Sequence, residues 1–328
     1  MIAPLTGLPV PASAAAWVEG PALAAKIDAA AAAVPQSGLE EADVVLEARV
    51  EGISRYLAVW HSARPPSVGP VRSARTSDPD LLALLGHPLF AYSGGNAGVL
   101  DALAADDLFT DVGFGAFPGA YRRSADRRAP HNLYADTSDL FEAVAGDPGP
   151  TTPPAMFTYS DPTDSSPGPD PSAEDPERDG SSPSNGFRVR VGSEAEFLWD
   201  PESLRWRRFV EGRVQPDTSG GQLAVANVVV LQVEYVPSAA DPDSPEARST
   251  GSGRAWVYSG GRVVPGSWER PSRTEQWALR DPQGRTIQLR PGRTWVVLTG
   301  DAPSELDPAA LERLSREATA FGGGGEGR

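Results

Sequence analysis

The 328-residue sequence contains no cysteine, only three histidines and a single lysine, Lys26. Without cysteine the chain has no disulfide framework, no thiolate metal site and no cysteine nucleophile. His61, His87 and His131 stand in unrelated contexts, so a three-histidine metal site is not predicted. The sequence also lacks an apolar run of about 20 residues, the length that spans a bilayer. The composition therefore predicts neither a metal nor a cofactor.

Positive charge is scarce, because 29 lysines and arginines stand against 44 acidic residues and give a formal net charge of -15. This balance argues against nucleic-acid binding through bulk charge. Against this background, Arg72 and Arg75 stand out in the stretch GPVRSARTSDPD, just before a predicted helix start at Asp78. Guanidinium groups beside the free amides of a helix start indicate a local anion site.

The first half of the chain mixes strands and helices. Apolar alternation at period two over residues 42–61, with Glu51-Gly52 at the turn, predicts a β-hairpin. Apolar runs and breakers predict the other elements: a strand over 22–28, a helix from Asp78, a strand over 88–96 and a helix over 99–109.

The second half consists of short strand-like runs punctuated by glycine and proline, followed by an amphipathic helix over 304–321. The expected fold class is α+β, with a mixed α/β N-terminal domain and a smaller, mainly antiparallel β C-terminal domain. The predicted divisions are the N-terminal domain at 1–155, an acidic Pro/Ser-rich linker or loop at 156–186, the C-terminal domain at 187–300, and a terminal helix with a disordered tail at 301–328.

Several motifs, in order along the chain, resemble one known family. They are PQSGL, GPVRSAR, RAPHNLY, GSGRAWVYSGGRVVPGSWER and PGRTW. The sequence resembles the YerB-like proteins, bacterial lipoproteins built from an N-terminal and a C-terminal domain of unknown function. The resemblance implies an extracytoplasmic, membrane-anchored protein and no established reaction. No lipobox cysteine is present, so membrane contact is expected only through a lipid anchor outside this chain.

Arg72, Ser73 and Arg75 form the first candidate site, a clamp for a phosphate, a carboxylate or an acidic sugar polymer. Arginine offers a planar, bidentate set of donors, and Ser73 adds a hydroxyl. The alternative is a structural ion-pair hub in which the strand carboxylates Glu47 and Glu51 accept both guanidinium groups. The residues alone leave both interpretations open.

His131 and Asn132 form a second candidate pair, since histidine is the side chain best suited to proton transfer near neutral pH. With Glu47 or Glu51 as its orienting carboxylate, His131 can serve as a general base. The alternative is a histidine whose ring holds a loop by bonding a backbone carbonyl. No G-x-S-x-G nucleophile motif accompanies it.

Ser93, Gly94 and Gly95 follow a predicted strand and precede a predicted helix, so their backbone amides can cradle an anion. The segment lacks the spacing of a nucleotide-binding loop, and glycines that simply permit a tight turn explain it equally well. Beside Arg72 and Arg75 it becomes a candidate wall of the same pocket.

These residues predict a binding protein, which the resemblance places in the cell envelope, whose ligand is expected to be an anionic small molecule, an envelope polymer or an envelope protein. The predicted pocket comprises Arg55, Arg72, Ser73, Arg75 and His131, oriented by Glu47 and Glu51. One alternative is a hydrolase of cell-wall material, with His131 or Glu51 as general base and the arginines stabilising negative charge. The other is a scaffold whose polar motifs only satisfy each other.

Overall fold

The computed structural model describes residues 1–147, 149–161, 180–240, 242 and 244–323. Most of the predicted acidic linker, residues 162–179, lies outside the described residues, as does the end of the predicted tail, 324–328. On either side of that linker the chain is anchored. Tyr159 donates its hydroxyl hydrogen to Leu5 O, and Ser182 pairs with Val263.

Helices are few and mostly short. Single 3-10 turns cover Ala12–Ala14, Ala31–Ala33, Leu39–Glu41, Ala83–Leu85 and Pro118–Ala120. The α-helices are α1 (Ala15–Val18), α2 (Asp78–Leu82), α3 (Ala97–Ala104), α4 (Thr137–Ala143) and α5 (Pro308–Gly323).

Strands dominate both halves of the chain. The first half contains β1 (Leu23–Asp28), β2 (Val44–Val50), β3 (Ile53–Trp60), β4 (Ser67–Val68), β5 (Leu89–Ala91), β6 (Thr110–Asp111), β7 (Tyr121–Arg123) and β8 (Leu133–Asp136). The second half contains β9 (Ser182–Pro183), β10 (Gly186–Val191), β11 (Ser193–Asp200), β12 (Arg205–Val210), β13 (Arg213–Val214), β14 (Ala224–Val225), β15 (Asn227–Gln232), β16 (Tyr235–Pro237), β17 (Pro245–Ala247), β18 (Gly251–Ser259), β19 (Arg262–Arg270), β20 (Ala278–Arg280), β21 (Thr294–Thr299) and β22 (Ser304–Glu305).

One large sheet runs through both halves in the order β20-β19-β18-β15-β21-β2-β3-β1-β5-β6, with β9 on β19. The halves join where β21 runs parallel to β2, from Val44 opposite Thr294 to Glu47 opposite Val297. A second sheet, β13-β12-β11-β10-β22 with β14 on β12, comes from the second half. The division into domains stays a prediction, and the hydrogen-bonded sheet is continuous across the boundary expected near residue 155.

Alternation along the central strands gives the large sheet two apolar faces. In the β2–β3 hairpin, Leu46 and Leu57 lie on one face, and Val45 and Ala58 lie on the other. The first face, which also carries apolar side chains of β18, β19 and β20, packs against α2, α3 and Ala247 of β17. The second face is covered by the smaller sheet. A sheet buried on both sides explains why β1 is buried along its whole length.

The predicted α+β class is confirmed, and the first strand and the hairpin stand where they were expected. The strand expected over 88–96 covers only Leu89–Ala91, and the helix expected over 99–109 covers Ala97–Ala104. The hairpin turns at Glu51-Gly52, where Gly52 adopts φ +79°, the left-handed conformation that favours glycine. The helix predicted from Asp78 begins there but ends at Leu82. The terminal helix begins at Pro308, because residues 304 and 305 pair with β10 as β22.

The parallel strands β1 and β5 separate at their carboxyl ends, and residues 70–74 enter between them. Asp28 N donates to Pro70 O and Arg72 N donates to Lys26 O, at 2.9 and 2.8 Å. On the other side, Ser93 N donates to Arg72 O at 3.0 Å. The carboxyl edge of parallel strands, where neighbouring strands part, is a common location for ligand sites. The inserted segment carries GPVRSAR into this edge.

Candidate functional site

Strand pairing places Lys26, Asp28 and Arg55 on one face of the sheet. Asp28 lies opposite Arg55 in the β1–β3 ladder, and Lys26 lies two residues before Asp28 on the same face. All three side chains are buried, with Arg55 only 2% exposed. A buried cluster of this kind needs internal partners, so the pairing of each charge decides what the cluster does.

Two of the cations in this cluster, Lys26 and Arg75, each form an ion pair with a carboxylate. Lys26 Nζ lies 2.7 Å from Asp78 Oδ1. Arg75 donates from Nε and Nη2 to the two carboxylate oxygens of Glu51, at 2.7 and 2.8 Å, and from Nη1 to Ala74 O at 2.8 Å. The predicted ion-pair hub is therefore realised at Arg75, through Glu51, and every nitrogen of this guanidinium already donates a hydrogen bond within the chain.

Arg55 is different, because its Nε and Nη1 atoms are buried and have no hydrogen-bond partner among the described residues. No carboxylate of the described part of the chain forms an ion pair with it. Burial and the positive charges of Arg72 and Arg75 lower the pKa of Arg55 to about 10, against the attraction of Asp28. The group still carries its charge at neutral pH. A buried cation with free donors is the strongest indication of an anion site in the molecule.

Asp28 connects Arg72 with His131. Its Oδ2 atom lies 2.7 Å from His131 Nδ1 and 3.2 Å from Arg72 Nε, and its Oδ1 accepts from Ala30 N at 3.0 Å. The hydrogen on Arg72 Nε is not aimed at the carboxylate. Asp28 is fully buried, whereas the side chains of Arg72 and His131 are 23% and 25% exposed. The two residues therefore form the solvent-facing mouth of the cluster.

The predicted wall at Ser93, Gly94 and Gly95 is held to the arginine segment by backbone hydrogen bonds. Ser93 N donates to Arg72 O, and Ala74 N donates to Gly94 O at 2.9 Å. The Ser73 hydroxyl, next to Arg72, has no hydrogen-bond partner among the described residues. The structure thus places residues 93–95 beside the segment that carries Arg72 and Arg75.

Two predicted residues belong elsewhere. Glu47 does not orient Arg72, Arg75 or His131. It accepts hydrogen bonds from Arg208 Nη2 at 2.7 Å, Trp295 Nε1 at 2.8 Å and Ser54 Oγ at 2.7 Å, all on the opposite face of the sheet.

Asn132 braces the loop between β7 and β8. Its amide donates to Ser124 O at 3.3 Å, and its carbonyl oxygen accepts from Arg123 Nη1 at 2.9 Å.

Glu51 was predicted as an orienting group or general base, and its environment excludes the second role. Burial alone would raise its pKa, but hydrogen bonds from Arg75 and Ser244 and the Arg75 charge lower it to about 2. A carboxylate with so low a pKa is a very weak base near neutral pH. The orienting carboxylate of His131 is Asp28 instead.

The second half of the chain covers this side of the cluster. Ser244 Oγ donates to Glu51 Oε1, and Thr76 Oγ1 donates to Ser238 Oγ, each at 2.8 Å. Ser238 follows β16 and Ser244 precedes β17, so residues from both halves of the chain contact this side of the cluster.

Sequence reasoning missed Lys26, Asp28 and Asp78 as members of this cluster. Lys26 and Asp28 alternate within an otherwise apolar strand, which is an unusual pattern for a buried strand. This pattern could have identified Lys26 and Asp28 as candidate site residues from the sequence alone. With them, Lys26, Arg55, Arg72 and Arg75 face the carboxylates of Asp28, Glu51 and Asp78, which leaves one cation in excess without counting His131.

No helix in the described part of the chain is both long and apolar enough to cross a membrane. The Bacillus subtilis (strain 168) protein YerB, whose name marks it as a predicted lipoprotein, is 26% identical over 299 residues, covering 85% of this chain and 80% of YerB. A crystal structure of Bacillus subtilis YerB superposes with a TM-score of 0.77, covering 93% of this chain and all of that one. At 22% identity this likeness shows a shared fold.

Family comparison matches both halves of the chain in order. Residues 5–149 match the N-terminal domain, and residues 187–296 the C-terminal domain, of the family described as protein of unknown function (DUF3048). The chain therefore belongs to the DUF3048 family.

Proposed function

We propose that the chain is an extracytoplasmic, membrane-anchored protein that binds an oxyanion at the Arg55–Arg72–His131 cluster. The observation that carries the proposal is the buried Arg55 guanidinium with two nitrogens that lack partners. Leaving a buried charged donor unsatisfied costs free energy of about 1–3 kcal/mol or more, and an anionic ligand removes that cost on binding. The relative whose name marks it as a lipoprotein supports the location.

The ligand group that suits these donors is a phosphate or carboxylate. Arg55 and Arg72 offer planar forks that match two oxygens each, and Ser73 adds a neutral donor. Arg75 is removed from the predicted ligand set, because Glu51 and Ala74 O already occupy its nitrogens. Because Arg55 is buried and Arg72 and His131 are only partly exposed, the cluster suits a compact acidic group carried on a small molecule or an envelope polymer.

Isothermal titration calorimetry with inorganic phosphate tests the proposal. The wild-type chain is expected to bind, and Arg55→Gln and Arg72→Gln are each expected to weaken binding at least about tenfold, the cost of one charge-assisted hydrogen bond. Arg254→Gln is the matched control, since Arg254 is an exposed arginine over Trp256 and outside the cluster. Equal affinities of all four proteins would overturn the proposal.

A second function, hydrolysis of cell-wall material, is favoured by one observation. His131 Nδ1 lies 2.7 Å from the buried Asp28 carboxylate, and His131 Nε2 has no partner among the described residues. A carboxylate that accepts from Nδ1 fixes the tautomer whose Nε2 can take a proton, the arrangement of a general base. The arginines would then stabilise negative charge developing on the substrate.

Purified cell-wall material incubated with the protein tests this candidate through release of soluble fragments. Asp28→Asn and His131→Ala should each abolish release, while both variants still fold by circular dichroism. If wild-type protein releases no more than the two variants do, the chain has no such activity and the binding function stands alone.

A further inference from the structure

A second group of arginines lines a cleft far along the chain from the first. Arg205 begins β12, and Arg290 and Arg293 flank Pro291-Gly292 in the loop that leads into β21. The cleft has a volume of about 320 Å³. None of the three arginine side chains forms an ion pair within the described residues, although the chain carries 44 acidic residues. We call it the 290–293 cleft.

The backbone beneath the 290–293 cleft is firmly held. Gly292 N donates to Thr6 O at 2.7 Å, and Arg293 O accepts from Ala226 N and Asn227 N at 3.1 and 3.2 Å. Gly292 has φ +146°, and a Cβ atom there would lie 2.4 Å from Ala226 Cβ, so only glycine fits. The arginines therefore project from a rigid loop, which favours pre-organised binding.

The acidic groups near the cleft do not neutralise it by direct contact. Both carboxylate oxygens of Asp43 already accept hydrogen bonds from the backbone and hydroxyl of the 61–62 turn, at 2.5 to 2.7 Å. Glu40 and Glu41 influence Arg293 through space without forming an ion pair with it. Three guanidinium groups consequently remain available to an anion, whose charge would also relieve their mutual repulsion.

Apolar side chains stand at the same cleft. Leu8 and Leu204 both line it and are 41% and 48% exposed, which places them among the few large apolar residues left in water. Leu204 adopts φ +55°, a left-handed conformation that is unfavourable for leucine and that glycine would adopt freely. An exposed apolar residue at a strained backbone position suggests that its side chain has a functional role.

We propose that the 290–293 cleft binds the headgroup of an anionic phospholipid, with Arg205, Arg290 and Arg293 on the phosphate and Leu8 and Leu204 against the apolar part. Free phosphate would use the arginines alone and would leave the two leucines without a role. The site is separate from the Arg55 cluster. It adds a direct lipid contact to a chain whose sequence predicts membrane contact only through an anchor.

Vesicle flotation tests the proposal with phosphatidylcholine vesicles prepared with and without phosphatidylglycerol. Wild-type protein should float only with the phosphatidylglycerol vesicles. The double variant Arg290→Gln/Arg293→Gln should lose at least about nine-tenths of that binding, since charge-assisted hydrogen bonds to phosphate disappear. Arg213→Gln/Arg316→Gln, which removes equal charge from two exposed arginines outside the cleft, should float like wild type.

Calorimetry separates a lipid site from a plain phosphate site. Water-soluble dihexanoylphosphatidylglycerol should bind at least about tenfold more tightly than glycerol phosphate, and Leu204→Gly should abolish that difference while relieving the left-handed strain. Both probes are compared in the Arg55→Gln background, with Leu204 intact and with Leu204→Gly, so that binding at the Arg55 cluster does not enter the difference. Equal binding of the two probes, flotation with both vesicle types, or equal loss in both arginine double variants would overturn the proposal.

Discussion

Arg55, on the large sheet, and Arg208, on β12 of the smaller sheet that covers its other face, are both buried, but only Arg208 has a carboxylate partner, although its Nε is also without a hydrogen-bond partner among the described residues. Arg208 donates to Glu47 Oε2 at 2.7 Å and to Gln215, and its guanidinium lies 4.4 Å from the Trp295 ring centre. Arg55, on the opposite face, directs no hydrogen bond from Nε or Nη1 to any described residue. Arg208 thus joins the two halves of the chain, whereas two nitrogens of Arg55 have no hydrogen-bond partner among the described residues.

Arg270 shows that the chain can satisfy a buried guanidinium without any carboxylate. Its nitrogens donate to the carbonyl oxygens of Glu275, Ser249, Asp80 and Arg273 and to the Ser249 hydroxyl. Polar partners for a buried arginine are therefore available in this fold. The lack of partners at Arg55 is therefore not imposed by the fold, and it is the observation on which the proposed anion site rests.

The largest expected effect on stability comes from breaking the buried Arg208–Glu47 ion pair. Arg208→Met leaves the buried Glu47 carboxylate without its cation, so the free energy of unfolding should fall by about 3–5 kcal/mol. Urea denaturation followed by circular dichroism measures the loss. The double variant Arg208→Met/Glu47→Gln should recover part of it, because no charge is left buried alone. A loss below about 1 kcal/mol would show that Glu47 does not depend on Arg208.

The same substitution at the other arginine should act in the opposite direction. Arg55→Met removes a buried charge without leaving any residue unpaired, so the free energy of unfolding should stay level or rise by about 1 kcal/mol. Urea denaturation of this variant beside Arg270→Met, which should lose stability, makes the comparison direct. A destabilisation of Arg55→Met as large as that of Arg270→Met would assign Arg55 a structural role.

The affinity for an anion at Arg55 should fall as the pH becomes alkaline. Because the pKa of Arg55 is lowered to about 10, its positive charge is lost as pH rises through that value. Affinity for sulfate, whose own charge is constant there, should fall about tenfold per pH unit above 10. Burial also lowers the pKa of Lys26, and the Arg55 charge lowers it further, so Arg55→Met should raise the pKa of Lys26 while leaving it titratable. A pH dependence unchanged in Arg55→Met would exclude Arg55 as the responsible group.

The smallest effect belongs to the partly exposed Arg75–Glu51 pair. The pKa of Glu51 is lowered from its ordinary value of 4.5 to about 2, so its contribution to stability is complete above 4.5 and is lost as pH falls towards 2. The stability difference between wild type and Glu51→Gln, below about 1 kcal/mol at neutral pH, should shrink over this interval. Thermal melts at several pH values follow it, and a constant difference would contradict the assignment.

The sequence contained the hairpin register that separates Glu47 from the arginine cluster. With a turn at Glu51-Gly52, Val50 faces Ile53 and Glu47 faces Tyr56, whereas Arg55 faces Ala48 on the other side of the sheet. The hairpin register alone therefore argues against Glu47 as the carboxylate partner of Arg72 or Arg75.

The pairing of Asp28 with Arg55 and His131 was not readable from the sequence. It depends on β1 lying beside β3 and on residues 70–74 entering beside β1, which are contacts between distant parts of the chain. Local patterns predicted the α+β class and the individual elements. They also singled out Arg72 and His131 by motif. Which charges stay unpaired is set by tertiary contacts, which local patterns do not encode.

Nitrogen-15 NMR of the arginine Nε–H groups, recorded while inorganic phosphate is added, tests the central claim most directly. The account predicts that the Arg55 Nε–H resonance shifts and becomes protected from solvent exchange as an acceptor arrives, whereas the Nε–H resonance of Arg270, already bonded to Glu275 O, stays in place. An Arg55 resonance that does not respond to phosphate would contradict the account.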